Sequence, residues 1–229
     1  MLRCNNLSVF ILSLMLMGLC AKSQTWVTIP DANLVSALQD IVPSAMIGDQ
    51  LNTESPVVVA THTLDVGGHG IINPFGLQFF TSLDVLECPN NSIASFPTLP
   101  ESLKELYCQF NQLSSLPVLP KNLTVLDCAS NQLDALPTLP SSLKNLSCSK
   151  NKLTILPELP KGLTDFLCYN NKLSCLPIIP NSINIIEISG NLFNCVPNYI
   201  KPMAEDTSKY SLCTEGNKNG CAVVKSKKK

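Results

Sequence analysis

The sequence predicts a β-rich solenoid, a stack of short coils with parallel strands on the concave face and little helix on the convex side. Three observations predict it. From Thr81 the chain divides into six consecutive blocks of equal length, Thr81–Pro100 through Asn181–Ile200, without an insertion. Each block repeats the same columns of apolar residues, Asn and Pro, and five of the six share a Cys column. And 17 prolines coexist with a hydrophobic fraction of 45%. Prolines at that density ordinarily mark loops or disorder, but a chain this apolar can bury a core, so the prolines must occupy an ordered, repeated position.

The blocks read TSLDVLECPNNSIASFPTLP, ESLKELYCQFNQLSSLPVLP, KNLTVLDCASNQLDALPTLP, SSLKNLSCSKNKLTILPELP, KGLTDFLCYNNKLSCLPIIP and NSINIIEISGNLFNCVPNYI, with the skeleton L-x-x-L-x-C-x-x-N-x-L-x-x-L-P-x-L-P. Leu86, Leu106, Leu126, Leu146, Phe166 and Ile186 lie two residues before the Cys column. A strand sends alternate residues to the same face, so both columns point inward. No coil can bury that row alone, so the coils must stack. Asn91, Asn111, Asn131, Asn151, Asn171 and Asn191 fall where the strand must turn, and their amides can satisfy backbone groups that a tight turn leaves unpaired. Pro97 and Pro100, with their equivalents to Pro177 and Pro180, fix φ near about −65° on the returning side and exclude a regular helix there.

An irregular coil precedes the six. Leu64-Asp65-Val66 and Ile71 align with Leu86-Glu87-Cys88 and Ile93 if this first repeat is two positions longer than the others, which puts His69 in the Asn position as a turn residue. His62, the other histidine, lies upstream, and the pair has no nearby carboxylate cluster to suggest a metal site. Pro30 to Ile41 reads as an amphipathic helix with Asp31 as N-cap and Leu34, Leu38 and Ile41 on one face. Four segments follow: 1–23 a signal peptide, 24–62 an N-terminal cap, 63–200 the repeat array, and 201–229 a C-terminal cap with a basic tail.

The signal peptide is expected from Arg3, the apolar run Val9 to Leu19, and Ala21-Lys22-Ser23 as a small-x-small cleavage site. The run is shorter than the roughly 20 residues that span a bilayer. The alternative, a lipoprotein signal acylated at Cys20, is disfavoured by the bulk of Leu19. A secreted or cell-surface location follows, without a transmembrane segment, in a compartment where disulfides persist.

The cysteines divide accordingly. Cys4 and Cys20 leave with the signal. Cys88, Cys108, Cys128, Cys148 and Cys168 form an inward ladder where thiols act as small hydrophobes. Cys175, Cys195, Cys213 and Cys221 are disulfide candidates with three possible connectivities, of which Cys175–Cys195 with Cys213–Cys221 is favoured.

Function is expected in what varies between coils. The outward strand positions give Glu87, Tyr107, Asp127, Leu167 and Tyr169, with Phe110 adding a ring, a composition enriched at interface hot spots. A protein or peptide ligand is expected there, with a glycan as the alternative. Net charge −1 and a pI near 6.1 give no basic face for nucleic acid. No nucleophile motif, metal motif or phosphate loop is present, so neither catalysis nor a cofactor is expected. A monomer is expected.

The skeleton resembles leucine-rich repeats, and its L-P-x-L-P returns resemble the short bacterial subtype found in effectors of animal pathogens. Some of those append a ubiquitin-ligase domain, which is not expected in the short stretch from Lys201 to Lys229. Trp26 to Leu34, Thr63-Leu64-Asp65-Val66 and Gly76 to Leu83 are more similar to secreted leucine-rich-repeat proteins of Bacteroidetes-type bacteria. That resemblance, spanning about residues 24–221, implies a leucine-rich-repeat solenoid used for binding; because the ends of such a stack need covering, a small helical N-terminal cap and a disulfide-containing C-terminal cap are expected.

Overall fold

The computed structural model describes residues 25–193, 195–198, 200 and 211–212. The signal peptide assigned to 1–23, Cys213, Cys221 and the basic tail lie outside the described residues.

The core of the molecule is a parallel sheet in which sequence order equals spatial order: β4 (Thr63–Asp65), β5 (Val85–Glu87), β6 (Glu105–Tyr107), β7 (Val125–Asp127), β8 (Asn145–Ser147), β9 (Asp165–Leu167) and β10 (Ile185–Glu187). Leu64 pairs with Leu86, Leu86 with Leu106, and so on to Phe166 with Ile186. The longer first repeat is thus in register with the six that follow. The inward columns are buried, including all five ladder cysteines and Ile188, which replaces cysteine in the sixth coil, except that Ile186 on the last strand is partly buried.

Each strand ends because the next residues turn. Asn90, Phe110, Ser130, Lys150 and Asn170 all take positive φ, between 54° and 57°, and Gly190 holds the equivalent place in the sixth coil at 65°. The asparagine that follows is a bracket between coils. Asn111 Nδ2 donates to the carbonyls of Cys108 in its own coil (3.2 Å) and Cys88 in the preceding one (2.9 Å), while its Oδ1 accepts from Ile93 N (3.0 Å). The same pattern recurs at Asn131, Asn151, Asn171 and Asn191. On the returning side the proline-containing segments form neither helix nor strand, and a turn closes each coil, as where Leu103 N donates to Pro100 O. No helix interrupts the described residues from β5 to β10.

The N-terminal part contains β1 (Trp26–Thr28), α1 (Ala32–Ile41), β2 (Met46–Ile47), β3 (Gln50–Asn52) and the single-turn α2 (Pro56–Val59). The first three strands form a small sheet in the order β1-β3-β2. Asp31 caps α1 with one carboxylate oxygen, accepting from Asn33 N and Leu34 N. Its other oxygen accepts from Ile72 N and Asn73 N, both at 2.8 Å, in the first coil. Burial works against its ionisation, but these four donors together outweigh it and hold the carboxyl below the usual carboxylate range. Gly76, at φ 127°, lies where a Cβ would come within 2.5 Å of Ile29 Cδ1, so only glycine fits this contact between the N-terminal segment and the array.

The expected helix face needs one correction. Leu34 and Leu38 are buried, but the third buried helix residue is Ala37, and Ile41 is 39% exposed. The helix ends at Ile41 and the chain turns inward immediately, so Val42, not Ile41, fills the core position.

Beyond β10, β11 (Cys195–Val196) pairs in parallel with β12 (Ser211–Leu212).

Candidate functional site: the concave groove

The strands place two outward columns on the concave face, the first and third position of each short strand, with a buried residue between them. Midway along the sheet these columns line a groove of about 270 Å³. Tyr107, Asp127, Ser147 and Leu167 supply one side; Val125, Asn145, Asp165 and Ile185 supply the other. The second set is absent from the sequence-based expectation, although period two sends the residue before the Leu column outward as surely as the one after it.

The structure divides the six residues expected to bind a partner. Tyr107, Asp127 and Leu167 meet in the groove. Glu87 stands beside Tyr107 in the ladder register, one coil beyond the groove. Phe110 and Tyr169 are not part of the groove wall. Phe110 occupies the positive-φ turn position and is 55% exposed. Tyr169 follows Cys168, with Lys150 Nζ 5.9 Å from its ring centroid. In the same column as Tyr169, Gln109 Oε1 and Ser149 Oγ are buried without a hydrogen-bond partner, on either side of Ala129.

Tyr107 is fixed by its own strand. Its hydroxyl donates to Glu105 Oε2 at 2.8 Å. Desolvation, that hydrogen bond and the charges of Glu105, Glu87 and Asp127 push its pKa up to about 12, so the ring is neutral and sits in a negative field. Asp127 Oδ1 accepts from Ala129 N at 3.1 Å.

At the rim, Asp84 accepts from Lys104 Nζ (2.9 Å) and stands 2.8 Å from His62 Nδ1. Both neighbours hold its carboxyl below the usual range, Lys104 foremost. Nothing in the sequence around His62 places a carboxylate beside it; the stacking of coils brings Asp84 there from the next coil of the chain. Among the described residues no group of three or more His, Cys, Asp or Glu is arranged to hold a metal ion.

The cysteine ladder lies on the other side of the sheet. Burial, with a contribution from Asp65, pushes the Cys88 thiol up to about 12, and burial raises Cys108, Cys128, Cys148 and Cys168 as well. Neutral, buried thiols are neither nucleophiles nor metal ligands. Cys175 and Cys195 each take part in a disulfide.

Residues 101–141 match the family model described as Leucine Rich repeats (2 copies). No curated protein matches the chain. Among solved structures, the chain is similar to the leucine-rich-repeat domain of a Shigella effector, at 29% identity and TM-score 0.53, over 63% of this chain and 59% of that one. It is similar to YopM from Yersinia enterocolitica at 30% identity and TM-score 0.54, over 62% of this chain and 36% of that one. YopM from Yersinia pestis, described as a leucine-rich effector protein, matches at 27% identity and TM-score 0.53, over 62% and 46% of the two chains. The chain therefore spans between about a third and three fifths of the length of these structures.

Proposed function

We propose that this chain is a non-enzymatic binding module, secreted or held at the cell surface, that takes a protein or peptide partner in its concave groove. The observation that carries the reading is the groove itself. Tyr107, Asp127 and Leu167, with Val125, Asp165 and Ile185 from the second outward column, change from coil to coil and converge on one depression of a sheet whose inward columns are committed to packing. A rigid sheet holding aromatic, aliphatic and charged groups suits recognition without reorganisation of the free protein. Effectors built on similar repeats support a binding role for the scaffold.

In this reading residues 24–62 close one end of the stack and disulfides among Cys175, Cys195, Cys213 and Cys221 hold the other, as an oxidising compartment permits. Glu87, Phe110 and Tyr169 border the groove and contribute less than its centre. Among the described residues no helix is long and apolar enough to cross a membrane.

Selection of a displayed random-peptide library against the purified chain, beside a glycan array, tests this. The expected result is enriched peptides whose binding is lost in Tyr107→Ala/Leu167→Ala and kept in Val118→Ser/Ile155→Ser, two exposed positions outside the groove. Enrichment of sugars alone shifts the reading to glycan binding, and peptides indifferent to the groove variant overturn the placement.

A further inference from the structure

The two outward columns of β4 to β10 carry an unbalanced charge. Each of the seven strands contributes two outward positions, and six of these fourteen are carboxylates: Asp65, Glu87, Glu105, Asp127, Asp165 and Glu187. None is Lys, Arg or His. The lysines bordering these strands are directed elsewhere. Lys104 binds Asp84, Lys144 Nζ lies against Gly162, and Lys150 stands over Tyr169. Neither Asp127 nor Asp165 forms an ion pair among the described residues. The net charge of the whole chain is only −1, so this asymmetry belongs to the face and not to the protein.

Resting on the binding reading above, we propose that the partner of the concave groove is an extended, lysine- or arginine-containing peptide segment with apolar residues between its cations. Asp127 and Asp165 face the groove from opposite columns, and between and beside them stand Val125, Leu167 and Ile185, the last 58% exposed. Two coils separate the carboxylates, roughly 10 Å along the stack at about 4.8 Å per strand. An extended chain of the polyproline-II type covers that distance in about three residues at roughly 3.1 Å each, and its three-residue turn returns every third side chain to the same face. Cationic side chains spaced by about three residues can therefore reach both carboxylates while the residues between them cover the apolar wall. Carboxylates on a partly desolvated sheet attract cations from a distance and reject acidic competitors, which fixes which partner is admitted. The Tyr107 pKa is raised first by desolvation and by its hydrogen bond to Glu105, and the charges of Glu105, Glu87 and Asp127 add to it.

Fluorescence-anisotropy titration of the full chain, with a chelator present, tests this with three labelled nonapeptides. One repeats Lys-Leu-Val, the second has Glu in place of each Lys, and the third has Ser. The lysine peptide binds about tenfold or more tightly than the serine peptide and the glutamate peptide does not bind, a ratio corresponding to at least ~1.4 kcal/mol. Raising salt from about 20 to about 500 mM removes most of that preference, because the Debye length falls well below the groove's dimensions. Asp127→Asn/Asp165→Asn, which keeps the Asp127 acceptor for Ala129 N, weakens the lysine peptide roughly tenfold and leaves thermal unfolding unchanged. Equal binding of all three peptides, or preference for the acidic one, with loss in Tyr107→Ala/Leu167→Ala, overturns the charge selectivity and leaves the groove as the binding site. Absence of binding by every peptide overturns both.

Discussion

The side-chain amide of Asn131 donates to the carbonyl of Cys108, one coil back, at 3.0 Å, and to that of Cys128, in its own coil, at 3.1 Å. Its Oδ1 also accepts from Leu113 N at 2.9 Å. One buried amide thus satisfies backbone groups of two coils, and no apolar residue can replace it. Asn131→Leu leaves the buried Leu113 N–H unpaired, at about 1–3 kcal/mol, and takes one of two amide donors from each carbonyl, Cys108 O keeping Asn111 Nδ2 and Cys128 O keeping Asn151 Nδ2. Urea unfolding should show a loss of roughly 2 kcal/mol; a loss under about 0.5 kcal/mol would contradict the bracket's role.

The thiol ladder makes stability pH-dependent on the alkaline side. A thiol raised in the folded state, as Cys88 is from 9.0 to about 12, keeps its proton when the unfolded chain has lost it. The stabilisation is complete below the unfolded pKa and declines as pH rises from about 9 toward 12, by up to ~1.4 kcal/mol per pH unit for each such thiol. Unfolding midpoints between pH 7 and 11 should fall accordingly, and the fall should shrink when Cys108 and Cys128 are both replaced by Val. The same burial keeps all five ladder thiols unalkylated in the folded protein, which mass spectrometry after iodoacetamide treatment reads directly.

Asp31 joins α1 to the first coil through four backbone donors. Asp31→Ala removes a helix cap, about 1 kcal/mol, and unpairs Ile72 N and Asn73 N in addition. A total loss of roughly 2–3 kcal/mol is expected in thermal or urea unfolding. Because the folded carboxyl has a lowered pKa, its contribution is present above the unfolded value and is lost as pH falls through the folded one. The difference between wild type and Asp31→Ala should therefore narrow in acid.

Phe110 holds φ at 57° where glycine stands in the sixth coil. A β-carbon in that region costs roughly 1–2 kcal/mol, and a side chain that is half exposed recovers little of it by packing. Phe110→Gly should raise stability by about 0.5–1 kcal/mol, with a modest weakening of partner binding if the ring borders the occupied groove. Destabilisation would show that the ring packs more tightly than its exposure suggests.

The array was legible in the sequence because each repeated column performs one structural task, and repetition exposes it: Leu and Cys in, Asn at the turn, Pro on the return. The register of the irregular first coil was legible for the same reason. Interactions joining residues one coil apart or more were not. Period two could have shown Val125, Asp165 and Ile185 facing the groove, but nothing local shows that they meet Tyr107 and Leu167 there. Asp84 reaches His62, and Asp31 reaches Ile72, only through stacking. Phe110 read as a sheet aromatic because the left-handed turn that takes it off the strand is glycine in only one of the six coils. Ile41 satisfied the helical period but fell at the helix end, where Val42 takes the core position.

The most direct test of the concave groove is a binding titration with one selected peptide against three forms of the chain. These are the wild type, Tyr107→Ala/Leu167→Ala in the groove, and Val118→Ser/Ile155→Ser outside it. Loss of binding in the groove variant alone, with all three unfolding at comparable temperatures, is the predicted result. Equal binding by the wild type and the groove variant would contradict the placement of the site.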